Sequence, residues 1–126
     1  MRERFVLDQQ QNILFINFAG LKIESREQVD EMEAIVHGVY GEHGRRFYAV
    51  VNYEGTEIAP EIIDYHRERI KKLYDLYGIP AVRYSSSGFT RSVLRYLGAA
   101  KDLESNIFSR LNQAKRHWDA GTVPRA

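Results

Sequence analysis

The stretch FYAVVNY, residues 47–53, decides the fold. It is a nearly continuous apolar run, rich in β-branched and aromatic residues, of the kind that forms a strand covered on both faces. Such a strand needs helices packed above and below it. The segments on either side must therefore supply them, and their hydrophobic spacing can be read directly.

Toward the N-terminus, Ser25 to about His43 reads as a helix. Ser25 and Gln28 stand in capping-box spacing, Val29, Met32, Val36 and Val39 fall on one stripe, and Gly44 is a natural stop. Before it, Phe5–Leu7 and Ile13–Phe18 are β-rich runs around the polar DQQQN, which predicts a hairpin. In the second run both alternating sets of residues are largely apolar, so that strand is expected to be central.

Toward the C-terminus, Pro60 sits where a first-turn proline belongs. Ile63, Ile70, Leu73 and Tyr77 mark the expected buried side of a second helix, with Glu68 and Lys72 outside. Gly78 ends it and Pro80 prevents its resumption. Ala81–Tyr84 is then a short strand, and a third helix follows from about Phe89 to Leu97, with Phe89, Val93 and Leu97 recurring every four residues. Asn106–Phe108 reads as an edge strand and Leu111 to about Asp119 as a terminal helix, with a frayed tail over 120–126. Hairpin first, then alternating strands and helices, predicts an α/β (α+β) domain spanning 1–126. The expectation is a single mixed sheet of about five strands flanked by about four helices.

Composition sets the outer limits on function. The chain has 126 residues, enough for one domain with a substantial core, with 44% hydrophobic and 28% charged residues. Eighteen Lys and Arg against seventeen Asp and Glu leave a formal charge of +1, so no overall field attracts nucleic acid or anionic lipid. Any anion binding must be local. The absence of cysteine excludes disulfides, thiolate metal sites and cysteine nucleophiles. No signal-peptide core and no long apolar run is present, so a cytoplasmic location and no membrane partner are expected.

The residues that could carry chemistry are few. His37, His43, His66 and His117 are spread over three predicted helices without compact ligand spacing, and structural histidines are the favoured reading. Ser85–Ser87 have no nucleophile elbow around them. The eight tyrosines and Trp118 read as packing residues, since no basic stripe or aromatic strand motif accompanies them. Lys71 and Lys72 read as a solvated face, and Arg45 and Arg46 as cations at the end of the first helix.

RYSSSGFTR, residues 83–91, is the best candidate site. It follows a strand and opens a helix, where free N–H groups and the helix dipole favour an anion. Ser85, Ser86, Ser87 and Thr90 offer hydroxyl donors, and Arg83 or Arg91 would neutralise phosphate or carboxylate. A serine cap explains the same composition, and the two roles can coexist.

These segments also carry a resemblance. The order of elements, YAVVNYEG (48–55) and IFSRLNQAKRHW (107–118) resemble SpoIIAA-like or STAS-type domains. NFAGL (17–21), VVNYEG (50–55) and VRYSSSGFTRSVLRYLG (82–98) are similar to the small C-terminal domain of some bacterial acyl-CoA transferases, which has a comparable Arg-Tyr-Thr-Thr-Ser-Ala-Phe stretch. The first likeness implies a regulatory module whose loop after the central strand holds a phosphorylated Ser in Asp-Ser-Ser-Gly. Here that loop reads NYEGTEIAP and only Thr56 could stand in, so an ordinary turn built on Asn52, Gly55 and Thr56 is favoured. The transferase likeness implies a glutamate nucleophile in the large domains. No Gly-rich run accompanies Glu54 here, which reads as a turn residue.

Two functions follow. The favoured one is a non-catalytic STAS-like binding or regulatory module with a protein partner, or a second copy of itself, and a small-anion site at the 83–91 loop. It calls for no cofactor. The alternative is an accessory component of an acyl-CoA transferase that binds CoA or a nucleotide-like cofactor at the same loop.

Overall fold

The computed structural model describes residues 1–44, 47–78, 81–98 and 107–108. The expected roles of Arg45, Arg46 and Pro80, the helix at 111–119, His117, Trp118 and the tail at 120–126 lie outside the described residues.

The chain enters through a 3₁₀ turn at Arg2–Arg4 and forms β1 (Phe5–Asp8) and β2 (Ile13–Asn17) as the expected hairpin, with Phe5 opposite Ile16 and Asp8 opposite Ile13. Its tip is held by the Asp8 carboxylate, which accepts from the backbone N–H of Gln10 at 3.0 Å and of Gln11 at 3.1 Å. After β3 (Lys22–Ile23), α1 (Arg26–His43) begins at Ser25 with both halves of the capping box formed. It ends at Gly44, whose left-handed φ of 72° lets its N–H return to the Tyr40 carbonyl. β4 (Tyr48–Asn52) is the apolar strand, followed by β5 (Glu57–Ile58) and a 3₁₀ turn with Pro60 in its first position. That turn opens α2 (Ile63–Tyr77), which Gly78 closes in the same left-handed way. Then come β6 (Ala81–Tyr84), α3 (Gly88–Gly98) and β7 (Ile107–Phe108).

The main sheet has the order β1-β2-β4-β6-β7, antiparallel at the hairpin and parallel from β2 onward, so it is mixed. β3 and β5 pair separately as a two-stranded parallel ladder, a correction to the expectation of a single sheet. Two residues per strand is all that the ladder has, too short to show as a period in sequence. Three α-helices stand among the described residues.

Alternation along β4 sorts the core. Phe47, Ala49, Val51 and Tyr53 join Val29, Met32 and Val39 of α1 and Leu94 and Leu97 of α3 in one cluster. Tyr48 and Val50 face the other way and form a second buried cluster with Ile13 of β2 and Val82 of β6. Both faces of FYAVVNY are therefore buried, but α1, α2 and α3 all pack on the first, and the second cluster draws, among the described residues, only on β2, β4 and β6; the expected helix on each side is seen on one side.

Two helix faces differ from expectation. On α2 the fully buried residue is His66, while Ile63, Ile70, Leu73 and Tyr77 are only half-buried. His66 lies three residues after Ile63 and four before Ile70, on the same stripe. On α3 the buried side is Thr90, Leu94 and Leu97, and Phe89 is 81% exposed. A 100° step per residue rotates Phe89 off the face that its neighbour Thr90 occupies.

Candidate functional site

The 83–91 stretch divides into two places. At the surface, Ser87 caps α3. Its hydroxyl accepts the Thr90 N–H at 3.1 Å and its carbonyl accepts the Arg91 N–H at 3.0 Å. The buried Ser85 hydroxyl accepts the Ser87 N–H at 3.2 Å, and Arg91 Nη1 donates to the Ser85 carbonyl at 2.9 Å. Ser86 gives its N–H and its hydroxyl to the two carboxylate oxygens of Glu54, at 2.5 and 2.7 Å. The structure thus brings Ser85, Ser86, Ser87, Thr90 and Arg91 together, with a carboxylate of the chain itself already on Ser86. Removing that carboxylate with Glu54→Ala should cost about 1 kcal/mol of stability, the ordinary worth of such bonds. Urea denaturation of the two proteins measures it, and equal midpoints would mean the contact holds nothing.

Thr56 stands apart from this group. It is buried, its hydroxyl donates to the Phe18 carbonyl at 2.6 Å and its N–H to the Tyr53 carbonyl at 3.1 Å. Asn52 Oδ1 accepts the Glu54 N–H at 2.8 Å. These are the bonds of a turn, in the place where the turn was expected.

Arg83 does not join the loop. In the parallel register Val51 lies beside Arg83 and Ala49 beside Ala81, so period-two alternation sends the Arg83 side chain to the helix-covered face of the sheet. There it is 7% exposed and reaches a partly open cavity of about 120 Å³ walled by the sheet, α1 and α2. The walls are mainly apolar, including Phe5, Phe18, Met32, Val51, Ile70 and Leu73. Phe5, Phe18 and Tyr53 meet edge to face, with ring centroids 5.8 and 5.5 Å apart.

Three polar groups interrupt this lining at the Arg83 end. Arg83 Nη1 is buried with no hydrogen-bond partner, and neither ring nitrogen of His66 has one. Tyr53 is buried beside them. Burial raises its phenol pKa, and the Arg83 charge opposes that rise without cancelling it. Burial likewise lowers the His66 pKa to about 4, with the charge of Arg83 adding to the effect, so its imidazole is neutral at pH 7. Among the described residues, no carboxylate forms an ion pair with Arg83. The carboxylate that also lines the cavity, Glu33, is engaged elsewhere. Arg69 grips it with Nε and with Nη2, the latter at 2.7 Å, and His37 Nε2 lies 3.3 Å from it.

Sequence reasoning passed over Tyr53 and His66, taking the one as packing and the other as one of four scattered histidines. Both had a signal, in the alternation of FYAVVNY and in the Ile63–Ile70 stripe. What the arrangement can do is hold a charge against mainly apolar walls. A guanidinium, a neutral imidazole and a phenol converge on one end of an apolar cavity whose other ionic pair is internally closed. Among the described residues, no cluster of three or more His, Asp or Glu could hold a metal ion, and no helix is long and apolar enough to cross a membrane. Comparison with protein-family models, curated proteins and solved structures finds no match to this chain.

Proposed function

We propose that the chain is a non-catalytic binding module of the STAS-like regulatory kind, and that the small anion it takes is held by Arg83 inside the α1–α2 cavity rather than by the loop. One observation carries this reading. A guanidinium buried to 7% exposure, with a free Nη1 and no carboxylate paired to it among the described residues, is an expensive thing to keep in an apolar core. An incoming anion would remove that cost and gain charge-assisted hydrogen bonds.

The other features are consistent with it. The cavity lining holds no serine, threonine or cysteine nucleophile, and its carboxylate, Glu33, is tied to Arg69, which favours binding over catalysis. The acyl-CoA alternative, which places its cofactor at the 83–91 loop, draws less support, because Glu54 already takes the Ser86 donors there. The protein-partner half of the proposal rests on Phe89, which is exposed on the first turn of α3. β6 joins the two parts directly, since Arg83 and Ser85 are two residues apart on one strand and its exit.

Thermal shift tests the anion half. A small anion at about 100 times its Kd should stabilise the wild type by about 2.7 kcal/mol. The same anion should leave Arg83→Gln unshifted. If carboxylates, phosphate, CoA and nucleotides all leave the wild-type Tm unchanged, the module does not bind anions.

A further inference from the structure

Resting on the reading of the Arg83 cavity as the anion site, we infer that its ligand is a monocarboxylic acid whose apolar part is about the size of a single benzene ring. Charge count comes first. One guanidinium faces the cavity end without a counter-ion among the described residues, while Tyr53 contributes a neutral hydroxyl and His66 a neutral ring. One negative charge balances one positive charge. A phosphate dianion would leave a surplus charge beside the apolar walls of Phe5, Phe18 and Val51, which supply it no hydrogen bonds.

Donor geometry comes second. A carboxylate is planar and matches the planar fork of a guanidinium, which accounts for Arg rather than Lys at this position. Arg83 Nη1 is free to donate, and a neutral imidazole with both nitrogens unpartnered has one N–H to give. These two donors belong to different elements, β6 and α2, so a carboxylate between them would bridge sheet and helix.

Volume and wall chemistry set the rest of the ligand. About 120 Å³ is close to the roughly 150 Å³ cavity that accepts benzene in an apolar protein core. A long acyl chain exceeds this volume. Acetate fits but leaves most of the apolar wall without contacts, and each unfilled methylene position forfeits transfer free energy. Phe5, Phe18 and Tyr53, packed edge to face on one another, put three aromatic rings into the wall, suited to an aromatic guest. The other lining guanidinium, Arg69, is already closed on Glu33, so a dicarboxylate finds no second free cation among the lining residues.

Titration calorimetry with four probes tests this on the full chain. Benzoate should bind; benzamide, which keeps the shape and loses the charge, and acetate, which keeps the charge and loses the ring, should each bind at least about tenfold more weakly. Arg83→Gln should weaken benzoate at least about 30-fold and leave benzamide unchanged. In case that variant does not fold, the wild-type imidazole nitrogens of His66 provide an independent readout, since their NMR resonances must move on adding benzoate. Binding of inorganic phosphate alone, lost in Arg83→Gln, would overturn the monocarboxylate inference and leave the anion site standing. Unmoved His66 resonances with no Arg83-dependent binding of any probe would overturn both.

Discussion

Between about pH 6.5 and pH 4 the protein is expected to lose about 3 kcal/mol of stability through one side chain, His66. In the fold its imidazole is 5% exposed, and burial together with the Arg83 charge lowers its pKa from 6.5 to about 4. The unfolded chain has neither constraint and takes up a proton below about pH 6.5, while the folded chain does not until about pH 4. The unfolded state therefore binds more protons throughout that window, and stability falls as the pH falls. Above pH 6.5 the group is neutral in both states and contributes no pH dependence. A depression of about 2.5 pH units, at about 1.36 kcal/mol each, sets the magnitude. Urea denaturation of wild type and His66→Phe at pH 7 and pH 4.5 measures it, because the variant keeps every other titrating group. The gap between the two proteins should widen toward low pH in favour of the variant. Parallel profiles would show that His66 is solvated in solution.

The second large effect concerns the price of the binding site. Arg83→Met combined with Tyr53→Phe should make the protein more stable than wild type by about 2 kcal/mol, in the range found when buried charges give way to apolar groups of similar size. For a chain of this length that is an increase in Tm of about 8 °C. Arg83→Met alone should gain less, by about 1 kcal/mol, because the Tyr53 hydroxyl is then buried without the guanidinium beside it. Calorimetric unfolding of the single and double variants at pH 7 gives both numbers and their coupling. A double variant less stable than wild type would make the guanidinium a structural element and remove the observation on which the binding proposal rests. The opposite result would match a general pattern in which a site is kept at the expense of stability.

Much of the fold was legible because the signals were local and periodic. The Ser25–Gln28 box, the stop at Gly44, the proline at 60 and the burial of both faces of FYAVVNY each need only a few adjacent residues to be read. The β3–β5 ladder was not legible, because a pair of dipeptides joined across more than thirty residues leaves no period behind it. The site was legible in half. RYSSSGFTR was recognisable as a junction, and its Ser87 cap and Ser85–Arg91 contact follow from short-range chemistry. What misled was treating Arg83 as part of the loop that follows it. Two positions after Ala81, it obeys the strand's alternation, and the strand sends it inward. The carboxylate on Ser86 could not be foreseen, since Glu54 comes from a different strand exit and only the β4–β6 register brings it near. Tyr53 and His66 were hidden by their type, because a tyrosine in an apolar run and a histidine in a helix each have a simpler use.

The mixed character of the sheet bears on how the chain finds this arrangement. Paired residues of the hairpin, from Asp8 and Ile13 to Phe5 and Ile16, are close in sequence, so that ladder can close almost as soon as the chain collapses. Ile13 with Tyr48 and Ala49 with Ala81 are each joined through a whole helix. Their loop-closure entropy must be met before any pairing is gained. The cavity end assembles only across the second of these crossovers, since Tyr53 follows β4 while His66 and Arg83 belong to α2 and β6. The polar cluster is therefore expected to form late in folding, after the hairpin that carries Phe5.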